Sequence, residues 1–169
     1  MYTIKDDAFL TLCGSIGAIA NGSSRFIWGI LYDLIPFKIL IPIANVLLLV
    51  SAVTLPFVIS VKAWFMVYII VIYFAYGGLY SLFPSVTYKI FGSMNGAKIY
   101  SLIFFGFSIG SVIQFLVHYV MVQNYGVKGN EYSFWMFGGF EIISIFILTF
   151  TRWRVDWRQM QPKKSLLST

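Results

Sequence analysis

The charged residues of this chain are spaced so that long apolar segments separate them. Three intervals, 39–61, 63–88 and 99–127, contain no Asp, Glu, Lys or Arg, and the segments 8–32 and 133–151 contain a single charged residue each. A helix that crosses a bilayer needs about 20 predominantly apolar residues. The pattern therefore predicts five membrane-spanning helices, near residues 8–32, 39–60, 64–88, 98–122 and 133–151.

The composition agrees with this pattern and excludes most other classes of protein. Of the 169 residues, 59% are hydrophobic and 11% are charged, with a mean hydropathy of +0.83, whereas a soluble domain carries about 25% charged residues. The same values exclude intrinsic disorder, and a single cysteine, Cys13, excludes a disulfide framework or a Cys-rich metal centre. We expect an all-α integral membrane protein: a polytopic helical bundle in one membrane domain, residues 1–151, followed by a short basic tail, residues 152–169.

The basic residues are unequally divided between the two sets of loops that five spans create. One set holds three cations, Lys5, Lys62 and Lys128, and the other holds eight. Because positively charged loops are retained on the cytoplasmic side, this multi-pass chain is expected to have its N-terminus outside and its C-terminus in the cytoplasm. The eight cations of the cytoplasmic set are Lys38, Lys89, Lys98, Arg152, Arg154, Arg158, Lys163 and Lys164.

Arg25 is the charged residue inside the first predicted span. An arginine at this depth costs at least ~2.5–3.5 kcal/mol and points into the protein or a watery cavity, and its planar fork suits a carboxylate. Two interpretations are open: an anchor for a substrate anion, or an internal salt bridge or snorkelling side chain. At 100° per residue Arg25 shares a face with small and polar residues that favour close helix packing, namely Gly14, Ala18, Asn21, Gly22 and Gly29.

The segment after this span contains a glycine, an aspartate four residues later and a lysine at the start of the next span. It resembles the cytoplasmic loop motif of the major facilitator superfamily, in which Gly-x-x-x-Asp is followed by basic residues. Gly29, Asp33 and Lys38 match this motif, whereas the residues between Asp33 and Lys38 depart from it. The resemblance implies that the three matching residues form a cytoplasmic hinge contact.

Two further stretches, 21–29 and 76–85, are similar to the oxalate/formate antiporter and monocarboxylate transporter branch of that superfamily. The resemblance covers residues 8–151 and corresponds to helices eight to twelve, in the C-terminal half of a twelve-helix carrier. It implies that Arg25 binds the substrate carboxylate in a central cavity during alternating access. Region 100–108, where the oxalate exchanger has a second cation, contains none here. A monoanion or a neutral polar solute is therefore favoured over a dianion, whose second carboxylate would be left unpaired.

Polar side chains occur on the third and fourth predicted spans as well. Tyr76 and Tyr80 are one turn apart and either offer hydroxyls to a carboxylate or pack in the core. Four polar side chains lie within about a third of the circumference of the fourth span: Ser108, Ser111, Gln114 and His118. They either line a hydrophilic path or act locally, with the serines bonding back to the helix and the histidine at the outer interface. The candidate substrate-binding residues are Arg25, Asn21, Tyr76, Tyr80, Ser108, Ser111 and Gln114.

Glycines occur where the predicted helices need close contact or movement. Gly106 and Gly110 form a GxxxG pair, which is typical of close helix packing in membranes. Gly77, Gly78 and Pro84 interrupt the third span and favour either a bend that moves during transport or a static, packed kink. In a carrier, the four glycines would permit helix movement.

Glu141 lies near the centre of the last predicted span. A carboxyl group there is protonated or paired, because ionisation in lipid is unfavourable. Glu141 and His118 are the candidates for proton coupling. The helix that contains Glu141 resembles a peripheral support helix of the superfamily, which favours a structural hydrogen bond or an oligomer contact instead.

The sequence contains no Gly-rich phosphate loop, no metal-spaced set of ligands and no nucleophile–base pair. We therefore expect neither an enzyme nor a bound cofactor, metal or nucleic acid. The predicted function is transmembrane transport of a small monocarboxylate-like anion by a partial or truncated major facilitator carrier. Its expected partners are the substrate, the lipid bilayer and a missing N-terminal half or a partner membrane protein. The alternative is a non-transporting membrane interaction or regulatory protein derived from such a carrier.

Overall fold

The computed structural model describes residue 4 and residues 6–150, and the regular structure within this part is helical. An all-α polytopic bundle is thereby confirmed. The predicted basic tail, residues 152–169, lies outside the described residues. Five helices follow one another: α1 (Asp7–Leu34), α2 (Phe37–Val58), α3 (Lys62–Gly92), α4 (Asn95–Tyr125) and α5 (Val127–Phe150).

The ends of α1 follow from its local sequence. Asp6 caps the helix, because its carboxylate accepts a hydrogen bond from the backbone N–H of Phe9 at 3.0 Å and so satisfies one of the free donors of the first turn. The helix ends at Ile35, which is extended with φ −123° and ψ 135°. Pro36 follows, and a proline disfavours the helical conformation of the residue before it.

Two glycines separate the last three helices. The helical run Lys62–Tyr125 is broken at Gly92, where φ is 74° and ψ is 178°, and this break divides it into α3 and α4. Gly126, with φ 59°, lies between α4 and α5. Positive φ is readily adopted only by glycine, so these two residues fix the reversals of the chain.

Four of the helices, α2 to α5, are long and apolar enough to cross a membrane. The first helix has 28 residues, roughly 42 Å at 1.5 Å per residue, and is therefore long enough as well. It is less apolar because Arg25 and several glycines and serines lie within it. Each predicted span overlaps one of these helices, although α5 begins six residues before the predicted start at residue 133 and α2 ends two residues before the predicted limit of residue 60. Where each helix enters the membrane stays a prediction.

The buried core lies where α1, α2 and α3 meet. Five side chains there are at most 3% exposed: Trp28, Phe37, Leu40, Ala44 and Leu82. The Trp28 indole N–H donates a hydrogen bond to the Phe74 carbonyl at 3.1 Å, so this large side chain is buried with its polar atom satisfied.

Helix α1 packs closely on α3, a contact between two particular helices that the sequence did not predict. A Cβ atom on Gly77 would overlap the Ser24 hydroxyl and lie 2.5 Å from the Asn21 carbonyl oxygen, and one on Gly78 would lie 2.5 Å from the Trp28 ring. The two glycines therefore allow the backbones of α1 and α3 to meet. We call this contact the α1–α3 crossing.

The predicted packing face of α1 meets α3 through Asn21, whose amide is bonded to the Tyr73 carbonyl. A Cβ atom added to Gly14, Gly22 or Gly29 would meet no atom within 4 Å among the described residues, so these three glycines form an open face. The rest of the contact with α3 is made by the neighbouring face of α1, which carries Ser24 and Trp28, both buried.

The structure bears on two further expectations about glycines. Helix α3 keeps helical φ and ψ through Gly77, Gly78 and Pro84, and its residue with non-helical φ and ψ is Gly92. Gly77 and Gly78 are packed against α1, as the static alternative expects. Gly106 and Gly110 make no close contact, since an added Cβ would meet nothing within 4 Å; they border a cleft instead.

Helix α5 covers α2, whereas α4 lies at the margin of the bundle. The Asn45 amide on α2 donates a hydrogen bond to the Ser144 hydroxyl on α5 at 2.9 Å. Helix α4 contacts α3 through aromatic pairs such as Phe83–Phe107, whose ring centroids are 5.3 Å apart. No residue between 97 and 125 is buried.

Candidate functional site

The Arg25 guanidinium is exposed on α1 and held from two sides. Its Nη2 donates a hydrogen bond to Asn21 Oδ1 at 3.1 Å, and its Cζ lies 5.6 Å from the centroid of the Tyr80 ring on α3. Among the described residues the ion pair present is Lys62–Asp6, so no carboxylate there neutralises Arg25. The internal salt bridge considered from the sequence is therefore not formed within residues 6–150.

Asn21 connects this arginine to the α1–α3 crossing. Its amide Nδ2 donates a hydrogen bond to the Tyr73 carbonyl of α3 at 3.1 Å, while its Oδ1 accepts from Arg25. One side chain thus fixes the arginine relative to α3. The sequence placed both residues on one face of α1, but it gave no sign of the bond to α3.

A cleft of about 660 Å³ lies among α2, α3, α4 and α5. Most of its lining is aromatic or aliphatic, and polar side chains enter it from all four helices. Of the residues predicted from the sequence, it brings together Tyr76, Tyr80, Ser111, Gln114 and Glu141.

The other predicted residues lie outside this cleft. Arg25 and Asn21 lie beside it, with Tyr80 between Arg25 and the cleft. Ser108 is exposed and His118 is half-buried, and neither lines the cleft. The structure therefore places Glu141, but not His118, near the candidate substrate-binding tyrosines.

The two serines of α4 make local hydrogen bonds. Ser108 donates to the Phe104 carbonyl at 3.1 Å, and Ser111 donates to the Phe107 carbonyl at 2.9 Å. This is the backbone bonding that the sequence left open as the alternative. Ser111 still borders the cleft, and its oxygen can accept a hydrogen bond there, because donation to Phe107 uses the hydroxyl hydrogen and leaves both lone pairs.

Two polar residues of the cleft were not identified as candidates from the sequence. Asn45 is 5% exposed and is bonded to Ser144, and both line the cleft. The available signal for Asn45 was a lone amide in an otherwise apolar span, because a polar group at this depth is costly without a partner. Its partner was not identifiable, since it is almost a hundred residues further along the chain.

The loop-motif residues border a second, shallower groove, of about 810 Å³, between α1 and α3. We call it the α1–α3 groove. Gly29 and Asp33 line it together with Arg25, whereas Lys38 is exposed and does not. The structure thus brings two of the three motif residues next to the arginine. Lys38 forms no hydrogen bond or ion pair within the described residues, and its part in a hinge contact stays a prediction.

The opposite end of α1 carries an ion pair between Asp6 and Lys62. The hydrogen bond from Lys62, with that from the Phe9 backbone N–H, holds the pKa of the Asp6 carboxyl below its usual range. The pair joins the first turn of α1 to the start of α3 at a membrane boundary. Both side chains are exposed, so the pair contributes little to stability in water.

No group of three or more His, Cys, Asp or Glu side chains with the spacing of a metal site occurs in the part of the chain that the structure describes. The Cys13 thiol is buried. The arrangement of Arg25, Asn21 and Tyr80 is suited to holding an anion by charge and hydrogen bonds.

Comparisons with known proteins agree with these observations. A sequence model of the Major Facilitator Superfamily matches residues 4–165 of this chain. The chain is also similar to the uncharacterized MFS-type transporter YhjX of Escherichia coli (strain K12), with 39% identity over 95 residues. The aligned region covers 56% of this chain and 24% of that relative, so the chain matches about a quarter of the relative's length. No solved structure matches the chain.

The extent of the family match, the helical fold and the apolar spans point to one conclusion. This chain is a multi-pass membrane protein that belongs to the major facilitator superfamily of transporters.

Proposed function

We propose that the chain forms part of a carrier that transports a small monocarboxylate, with Arg25 as the anchor for the carboxylate. The observation that carries this proposal is an exposed guanidinium in the interior of α1 that has no carboxylate partner among residues 6–150. Such a charge is costly in a membrane unless an anion or water satisfies it. Asn21 and Tyr80 hold it in position from α1 and α3.

The preference for one carboxylate rests on charge. The lining of the cleft beside Arg25 contains no Lys or Arg, so no second cation supplements the charge of Arg25 on the cleft side. A dicarboxylate bound at this point would leave one carboxylate without a partner in a medium of low dielectric. Competition by mono- and dicarboxylates of matched size for uptake measures this preference, and equal competition by dicarboxylates would contradict it.

We propose that transport requires further membrane helices, encoded in the same chain or in a partner, and we call the complete unit the assembled carrier. Two surfaces support this proposal: the open face of α1 at Gly14, Gly22 and Gly29, and α4, which lacks buried residues from 97 to 125. Helices in lipid associate by close packing of such small-residue faces.

We propose that Glu141 is the proton-binding group of the carrier, in preference to His118. Its support is the position of Glu141 in the cleft, where Tyr76 and Tyr80 also lie. Those tyrosines connect the neighbourhood of Glu141 to that of Arg25. An anion at Arg25 and a proton at Glu141 would then favour each other's binding, because coupling between two sites is reciprocal.

The test of the anchor is Arg25→Gln in the assembled carrier, reconstituted in vesicles. Uptake of a radiolabelled monocarboxylate at low concentration is expected to fall at least ~30-fold, because loss of one partner of a desolvated charge pair costs about 2–5 kcal/mol. Arg25→Lys keeps the positive charge but loses the planar, two-pronged hydrogen-bond geometry of the guanidinium. Its uptake is expected to lie between that of the wild type and that of Arg25→Gln.

Lys128→Gln is the matched control, since it removes an exposed cation at the start of α5 and should leave uptake unchanged. Full uptake by a correctly inserted Arg25→Gln carrier would overturn the anchor. If the chain instead binds a separate carrier and alters its rate without a substrate site of its own, the non-transporting alternative is correct.

A further inference from the structure

Lys89 shares the α1–α3 groove with Arg25. The groove is lined on α1 by Arg25, Tyr32 and Asp33, and on α3 by Tyr88 and Lys89. Nothing in the sequence brings Lys89 near Arg25, because their proximity depends on which faces of α1 and α3 meet. The groove therefore joins the proposed anchor to the end of the bundle that carries Asp33.

The ammonium group of Lys89 is held but not neutralised. Its Nζ lies 3.9 Å from the centroid of the Tyr32 ring, a cation–π contact that limits its positions while leaving its charge in place. Asp33 lines the same groove, but Lys89 forms no ion pair with any carboxylate within residues 6–150. With two cations and one carboxylate, the groove carries an excess of positive charge.

The two cations lie at different levels of the groove. Tyr32, which contacts Lys89, follows Arg25 by seven residues on α1, and this separation corresponds to roughly 10 Å along the helix axis. A small carboxylate is shorter than this axial rise, so Arg25 and the Tyr32 ring that contacts Lys89 belong to successive levels of the groove. Lys89 is therefore suited to receive an anion before it reaches Arg25.

We propose that Lys89 is the entry site for the carboxylate on the Asp33 side of the membrane, and that the α1–α3 groove guides the anion from Lys89 to Arg25. This inference rests on the proposed function, because it needs Arg25 to be the anchor. A positive groove with low-dielectric walls raises the local concentration of anions and their association rate. A charge at the entrance, such as that of Lys89, changes the association rate of the anion and the salt dependence of that rate more than it changes the steps after binding.

The experiment measures transport in the direction that begins at the Asp33 side, with the assembled carrier in vesicles of uniform orientation. At 10 mM salt, Lys89→Gln is expected to raise KM for the monocarboxylate about threefold or more with little change in kcat, as loss of a steering charge does. The effect should shrink at 1 M salt, where the Debye length falls to about 3 Å. Lys89→Arg is expected to restore KM, since it keeps the charge.

Lys98→Gln is the matched control, because Lys98 is exposed near the same end of the bundle but does not line the groove. An equal rise in KM with Lys98→Gln would overturn the proposal, and so would an unchanged KM with Lys89→Gln at low salt. Wild-type KM is also expected to rise with salt in this direction, and this measurement needs no variant. A wild-type KM that is independent of salt would contradict the entry site.

Two further arms separate the alternatives. The measurements are made in purely zwitterionic vesicles and in vesicles with anionic phosphatidylglycerol; an effect of Lys89→Gln confined to the anionic vesicles would assign the groove to a lipid headgroup and overturn the proposal. Arg25→Gln is assayed in the same preparation. If Arg25→Gln loses uptake while Lys89→Gln leaves KM unchanged, the entry site is contradicted and the proposed function stands. If Arg25→Gln keeps full uptake, both the entry site and the proposed function are contradicted.

Discussion

The carboxyl group of Glu141 has an unusual environment for an acidic side chain. It lies in the cleft among aromatic residues such as Phe137, Phe140 and Tyr76. Within the described part of the chain it forms neither an ion pair nor a hydrogen bond. A carboxyl group so placed is held at low cost when it carries a proton and at high cost when it is ionised.

Glu141→Gln tests the proposed proton site by replacing the carboxyl group with an amide of the same shape. The variant keeps the shape of the side chain but cannot gain or lose a proton, so accumulation of the anion driven by a pH gradient is expected to be lost. Exchange of internal for external anion at equal pH needs no net proton movement and should persist. Glu131→Gln, on the same helix but outside the cleft, should retain both activities. Gradient-driven accumulation by Glu141→Gln would exclude Glu141 as the proton site.

Candidate site residues could be identified from the sequence where the pattern of one helix face was enough to point to them. Arg25 and Asn21 were identified because a charge and an amide on a small-residue face are costly in lipid, and the structure joins them by a hydrogen bond. Lys89 was counted only for membrane orientation, because its contact with Tyr32 depends on the register between two helices. Such a register is set by packing and is not visible in the periodicity of either helix alone.

The α1–α3 crossing is the contact between helices for which the sequence did not predict the residues involved. Two faces of α1 carry small residues, and the helical wheel does not distinguish them: one has Gly14, Gly22 and Gly29, and the other has Gly17 and Ser24. Gly17 is close to the Tyr73 ring, with an added Cβ at 3.1 Å. The choice between the faces is made by Gly77 and Gly78 on α3, which accept Ser24 and Trp28.

Gly77→Ala and Gly14→Ala are expected to have opposite effects on stability. The methyl group on Gly77 meets the Ser24 hydroxyl and the Asn21 carbonyl, and overpacking of this kind costs about 1–3 kcal/mol. Gly14 has open space around it within this chain, so in the chain without further helices alanine there gains roughly 0.5–1 kcal/mol, because it lowers the conformational entropy of the unfolded chain.

Unfolding of the purified chain, without further helices, in mixed detergent micelles measures both free energies of unfolding against the wild type. Because each variant adds one methyl group to the same pair of helices, a general effect of side-chain size would move both values in one direction. That result would contradict the tight α1–α3 crossing.

At the scale of the whole molecule, the fold class followed from the sequence because charge spacing and span length are properties of a single chain. Each predicted span overlaps one helix for the same reason, although α5 begins six residues before its predicted span. The cleft and the α1–α3 groove were not predictable, because each requires the positions of several helices in three dimensions. The proposed orientation depends only on the loops, with eight cations in one set and three in the other.

Cysteine labelling of intact cells tests that orientation. Ser60→Cys and Asn124→Cys place an exposed thiol at one end of the bundle, and Lys98→Cys places one at the other end. A membrane-impermeant maleimide added outside cells should label the first two and should label Lys98→Cys only after permeabilisation. The native Cys13 is buried, and the unmodified carrier measures its background. Labelling of Lys98→Cys from outside would reverse the orientation and exchange the two membrane faces in the transport measurements.

Helix α4 has a consequence for how the protein is assembled. It lies between two glycines with positive φ, Gly92 and Gly126, and no residue from 97 to 125 is buried. Elements with few buried contacts are at the low end of local stability, so the core formed by α1, α2 and α3 can become ordered before α4 has a fixed place. We therefore expect insertion and folding to be separate events for this helix: it would enter the bilayer with its neighbours, and its final position would be fixed last, by the further helices proposed above.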